Sequence, residues 1–238
     1  MSRPALPPVV RKDEARHAVV TGASSGIGRA VVKRLLDDGW HVTGLCRHCV
    51  QDDSERFTWL PTDLADQAGT ARSVARVPAV DAIVHSAGLQ RTARLGRLSA
   101  EDGAAMWRVH VDAAAFLVDA VLSRIRRGGR IVLIGSRTAA GAAGKSQYAA
   151  SKAALVGLSR SWAIELAPEG ITVNVVAPGP TCTPMLDDPA RSSTPPRTPA
   201  LGRFVQPEEV AGLTAFLLGP DGGSVTGQQI VMCGGASL

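Results

Sequence analysis

The sequence predicts an α/β fold: a doubly wound parallel sheet of about seven strands, sandwiched in three α/β/α layers and forming a single domain. Three observations carry this. From residue 17 onward, short β-rich apolar runs alternate with longer segments of helical period, the pattern of a parallel sheet covered on both faces. A glycine-rich turn joins the first such run to the first helical segment. The 238 residues, 45% hydrophobic and 20% charged, suit one globular domain of this class.

In chain order the strands are expected at His17–Thr21, His41–Cys46, Phe57–Leu60, Val80–His85, Arg130–Ser136, Ile171–Val176 and Gln229–Cys233. Ile27, Ala30, Val31 and Leu35 mark the apolar face of a first helix that Gly39 ends. Val210, Leu213, Phe216 and Leu217 mark the buried face of another near the C-terminus. The connection from Cys46 to Phe57 is too short for a normal crossover helix. Residues 1–16 are rich in proline and charge and read as a loose tail before a catalytic domain spanning 17–238. The proline-rich stretch from Met185 to Arg203 is the one long irregular segment, and it reads as a lid over a substrate site.

Composition narrows the function. No apolar run approaches the roughly 20 residues of a membrane-spanning helix, and the start lacks the apolar stretch of a secretory signal, so a soluble, cytoplasmic protein is expected. The net charge of +5 is spread along the chain without aromatic interleaving, which argues against nucleic-acid binding and leaves anionic cofactors or acidic carriers as partners. Four scattered cysteines make no disulfide framework. Cys46-Arg47-His48-Cys49 lacks the further ligands of a zinc site, so no metal is expected.

The turn Gly22-Ala23-Ser24-Ser25-Gly26-Ile27-Gly28 lets the backbone approach a pyrophosphate at a helix N-terminus, although a tight turn without a ligand would look similar. Where dinucleotide folds commonly place a carboxylate for the ribose hydroxyls, the second strand ends in Arg47-His48. A guanidinium fork suits a 2′-phosphate, which selects NADP(H) over NAD(H); the alternative is a solvated surface arginine. Asp63-Leu64, after the third strand, stands to meet the adenine edge, or Asp63 serves as a helix N-cap.

Ser136 closes the fifth strand, and Tyr148 and Lys152 open the following helix four residues apart on one face. A phenol gives up its proton near pH 10, so work at neutral pH needs a nearby cation, which Lys152 supplies. Tyr148 is the only tyrosine in the chain, which argues against a casual core role.

The glycine turn, Ser136, Tyr148-Ala149-Ala150-Ser151-Lys152 and Pro178-Gly179 occur in the order found in the short-chain dehydrogenases/reductases, which the chain resembles from about residue 17 to 235. The resemblance implies a Rossmann-like fold with Tyr148 as general acid or base, Lys152 also holding the nicotinamide ribose, and Ser136 bonding the substrate oxygen. It implies that Pro178, Gly179, Thr181 and Thr183 hold the carboxamide. Four positions depart from the family pattern. The usual Asn-Asn-Ala-Gly is His85-Ser86-Ala87-Gly88, leaving Ser86, Ala87 and Gly88 for the cofactor. The Ser136 to Tyr148 interval is one residue short, and Cys233-Gly234-Gly235 replaces Asp-Gly-Gly. His110 stands where the family carries an Asn in a long fourth helix, so it either joins a proton relay through a held water or merely packs between helices. The expected function is hydride transfer between NADP(H) and a small ketone, aldehyde or alcohol; the alternatives are reduction of 3-oxoacyl groups on acyl carrier protein and an NADP-binding sensor without turnover. A homo-oligomer, a tetramer by resemblance, is expected.

Overall fold

The computed structural model describes residues 15–189 and 194–238. Seven strands, β1 (His17–Thr21), β2 (His41–Cys46), β3 (Phe57–Pro61), β4 (Val80–His85), β5 (Ile125–Ile134), β6 (Thr172–Pro178) and β7 (Gln229–Met232), form one sheet in the order β3-β2-β1-β4-β5-β6-β7. Every pairing is parallel. The chain winds outward from β1 to β3, then returns to place β4 on the other side of β1. That reversal opens a crevice at the C-terminal ends of β1 and β4, where open parallel sheets bind ligands.

Six helices cover the sheet: α1 (Gly26–Asp37), α2 (Gln67–Ala75), α3 (Ala100–Trp107), α4 (Ala113–Val121), α5 (Ser146–Leu166) and α6 (Pro207–Leu218). The strand period of two divides the core. Ala18, Val20, Val132 and Ile134 face α1 and α6, while Val19, Ile131 and Leu133 face α4 and α5. A buried Val, Leu or Ile contributes about 1.5–3 kcal/mol against exposure, so strands buried on both faces are mostly apolar, and polar exceptions such as Thr21, His85 and Asn174 are hydrogen-bonded.

The expected element order stands, with local differences. β5 begins at Ile125 rather than Arg130, because Ile125 pairs with Val80 before an irregularity between Val80 and Ala82 restores register. The charged Arg126-Arg127 and the glycines after them masked that start. The strand stops at Ile134, so Ser136 lies just beyond it. Phe216 is 45% exposed, whereas Val210 and Leu217 are buried: the apolar stripe of α6 is narrower than its composition suggests. No helix fills the connection after β2. Most of the expected tail, residues 1–14, lies outside the described residues, as do 190–193 of the expected lid. Arg16 is part of the fold, its guanidinium stacked 4.0 Å over Trp40 and its carbonyl accepting from the His41 N–H.

Candidate active site

The crevice is built first from backbone. After β1 the chain turns at Gly22 with φ +67, and a Cβ there would lie 2.9 Å from Ala87 Cα, so only glycine lets the two loops touch. Thr21 fastens them: its Oγ1 accepts from the Ser86 and Ala87 N–H groups, both at 3.0 Å. Its hydroxyl donates to His85 Nδ1 at 3.1 Å, and His85 Nε2–H donates to the Val109 carbonyl at 3.1 Å. Burial, with the Lys152 ammonium adding to it, pushes the His85 imidazole down to about 3, so it is neutral.

The helical rod from α3 to α4 is not a plain α-helix. Residues Arg108–Asp112 form a π-turn, which frees backbone groups and turns His110 inward. His110 is fully buried. Its Nε2 accepts from the Leu89 N–H at 3.1 Å, so the proton sits on Nδ1 and is donated to Ser151 Oγ at 2.9 Å; Ser151 in turn donates to the Tyr148 carbonyl at 2.8 Å. Burial holds this imidazole well below its ordinary value, the Lys152 ammonium acting in the same direction. Its ring meets that of Tyr148 edge-on, with centroids 5.6 Å apart. Both ring nitrogens are therefore spoken for within the protein, and neither is left to hold the relay water expected from the sequence.

Tyr148 and Lys152 share the inner face of α5 and are both buried. Lys152 Nζ donates to the Ile134 carbonyl at 2.8 Å, and burial lowers its ammonium to about 7. Gly88 makes room beside it: a Cβ there would stand 3.0 Å from His110 Nε2 and 3.6 Å from Lys152 Nζ. Ser136 Oγ accepts from the Thr138 N–H at 3.1 Å, which leaves its own proton available to a ligand.

These groups line one cleft of about 750 Å³. It runs from the glycine turn (Gly22, Ser25, Gly26, Ile27, Gly28) past Ser86, Ala87, Gly88 and His110 to Ser136, Tyr148 and Lys152. Pro178, Gly179, Thr181 and Thr183 form its other wall. Five expected cofactor residues do not line it. Ser24 lies in the turn but outside the cleft wall, while Arg47 and His48 are exposed just past β2, the His48 carbonyl accepting from the Cys46 thiol at 3.4 Å. The Asp63 carboxylate accepts from the Ala65 N–H at 3.0 Å, an Asx turn rather than the N-cap of α2, which is Asp66. Leu64 opens on a separate groove beside α4 and α5. Sequence reasoning missed His85 and Thr21 as organisers of the crevice, and Arg94, Arg137, Lys145 and Arg197 as lining. Only Arg137, next to Ser136, carried a signal. Among the described residues no group of three or more His, Cys, Asp or Glu could hold a metal ion.

Residues 22–237 match the family model described as Enoyl-(Acyl carrier protein) reductase. The chain belongs to the short-chain dehydrogenases/reductases. It is an oxidoreductase of that family, acting between CH–OH and C=O with a nicotinamide dinucleotide. Among its relatives in the family, the 3-oxoacyl-(acyl-carrier-protein) reductase FabG of Escherichia coli (strain K12) is 35% identical, over 93% of this chain and 97% of that protein. Subunit BbsD of a hydroxy(phenyl)methylsuccinyl-CoA dehydrogenase from Thauera aromatica is 33% identical, over 94% and 97%. A short-chain dehydrogenase of Burkholderia cenocepacia J2315, solved in complex with NADP, superposes with a TM-score of 0.82 at 35% identity, over 94% and 98% of the two chains.

Proposed function

We propose that the chain is an NADP(H)-dependent carbonyl reductase or alcohol dehydrogenase in which Tyr148 is the proton donor or acceptor. The observation that carries this is the burial of Tyr148 and Lys152 in the same cleft that begins at the glycine turn. The fit for a dinucleotide rests on that turn, where the N-terminus of α1 meets a backbone cradle that a Cβ at Gly22 would fill. When bound, NADPH supplies the hydride. Ser136 holds the substrate oxygen, Tyr148 gives it a proton as negative charge develops, and the ammonium of Lys152 favours the phenolate left behind and reaches the ribose. His110 acts as a positioning residue, tying the Gly88–Leu89 loop to α5 through its two bonds. Turnover of NADPH with a panel of ketones and aldehydes tests the reading; a chain that binds NADPH yet reduces none of them is not such an enzyme.

The choice of NADP(H) is supported by Arg47, exposed at the end of β2 and without an ion pair among the described residues. The nearby Asp52 is already held by Arg29 at 3.0 Å. NADPH is expected to exceed NADH at least about tenfold in kcat/KM, a modest result for a guanidinium on a phosphate, and Arg47→Asp should reverse the order. Equal use of both cofactors by the parent enzyme would refute the assignment.

The groove beside α4 and α5, with Phe116, Leu122 and Trp162, supports self-association into a homo-oligomer, a tetramer by family resemblance. Leu122 is 39% exposed, so Leu122→Glu should lower the mass seen in solution without unfolding the protomer. The described parts of the expected lid line the cleft in this reading, with Met185 and Leu186 on one side of the undescribed residues and Thr194 to Arg197 on the other. No helix among the described residues is long and apolar enough to cross a membrane. The four free cysteines support a reducing, cytoplasmic setting.

A further inference from the structure

The cleft is lined by Arg94, Arg137, Lys145, Lys152 and Arg197, and among the described residues by no aspartate or glutamate. The chain as a whole carries nearly as many acidic residues, 21, as basic ones, 26, so this one-sidedness is local. Several arginines elsewhere, Arg91, Arg126, Arg127 and Arg203 among them, each meet a carboxylate. Arg94, Arg137 and Arg197 meet none among the described residues.

Lys152 belongs to the catalytic pair; the other four cations gather at the end of the cleft away from the glycine turn. Three loops meet there. The Ala93 N–H donates to the Gly144 carbonyl at 3.0 Å, which sets Arg94 beside Lys145. A Cβ on Gly144 would stand 2.5 Å from Thr194 Cγ2, so the segment from Thr194 to Arg197 closes on the same point. Arg137 leaves the catalytic Ser136 directly and is half-buried. Dinucleotide phosphates at the glycine turn would not use this end. Three guanidiniums gathered without a carboxylate repel one another and are stabilised by an anion, above all where their forks can engage a carboxylate or phosphate.

We propose that the substrate is a small carbonyl compound bearing its own anionic group, a carboxylate or a phosphate, held by Arg94, Arg137 and Arg197 while its carbonyl faces Ser136 and Tyr148. This rests on the reductase reading and narrows its substrate class. The test uses the full chain with NADPH and a series of oxo-carboxylates of increasing spacing, each paired with its methyl ester, beside matched oxo-phosphates. The acid or phosphate should exceed the neutral ester at least about tenfold in kcat/KM, with a preference that weakens as salt rises. Combining Arg94→Gln, Arg137→Gln and Arg197→Gln should bring that ratio toward one. Whichever of the carboxylate and phosphate arms shows the larger ratio identifies the group. Esters reduced as well as acids, or a ratio untouched by the triple substitution, overturn the proposal. Reduction of carrier-linked thioesters alone would also overturn it, by assigning the cations to a protein partner. If nothing turns over, the same pairs are titrated onto the NADP-bound protein. Anion-selective binding would then sustain this inference while the reductase reading falls; equal or absent binding of both forms would end it.

Discussion

Replacing Tyr148 by phenylalanine is expected to lower kcat by about three orders of magnitude while leaving NADPH affinity within a few-fold, because a positioned proton donor contributes on that scale. The phenyl ring preserves the edge-on contact with His110 and fills the same buried volume, so the fold and its melting temperature should be nearly unchanged. The loss is then chemical. Lys152→Ala should behave differently: it removes the ammonium proposed to favour the phenolate and to hold the ribose, so kcat and NADPH affinity should fall together. Stopped-flow turnover and fluorescence titration of NADPH separate the two effects. Substantial turnover in Tyr148→Phe would mean that another group donates the proton and would overturn the mechanism.

The sequence disclosed the parts of the molecule whose signals are local. Gly22 to Ser25 read as a turn between a strand and a helix from their own residues, and Tyr148 and Lys152, four residues apart, share a helical face by geometry alone. The parts that stayed hidden depend on distant partners. His85 looked like a lost amide; its role appears only once β1 brings Thr21, and the π-turn brings the Val109 carbonyl, to its two nitrogens. Ile125 reads as an isolated apolar residue until Val80 pairs with it. Arg94, Lys145 and Arg197 are far apart in sequence and become one cluster only through the meeting of three loops. Leu64, read from the sequence as meeting the cofactor, lines the groove beside α4 and α5 instead, a placement that depends on where those distant helices pack.

The buried histidine pair should make the protein acid-sensitive in a way that substitution can isolate. His85 and His110 are neutral in the fold, held down mainly by burial, His85 to about 3 and His110 in the same direction. An unfolded chain binds protons on both near pH 6.5. Below that value the unfolded state therefore carries more protons than the native one, and stability falls as pH falls, by up to about 1.4 kcal/mol per pH unit for each imidazole. Lys152 acts in a higher window. Its ammonium is lowered to about 7, so the native state carries fewer protons from there to its unfolded value, and that contribution declines as pH drops from about 10 toward 7. His17, shifted down by burial and bonded to Thr43, contributes the same background in every variant. His110→Asn keeps an acceptor for the Leu89 N–H, and His85→Asn offers an amide oxygen to Thr21 and an amide N–H to Val109, so both should fold. Urea unfolding between pH 4 and 7.5 should show a shallower acid limb in each single variant and the shallowest in the double. His110→Ala, which leaves the partly buried Leu89 N–H without its acceptor, should instead cost about 1–3 kcal/mol at all pH values and lower kcat through the displaced Gly88 loop. Acid limbs that coincide in the parent and the double Asn variant would show that these imidazoles are not held neutral by the fold.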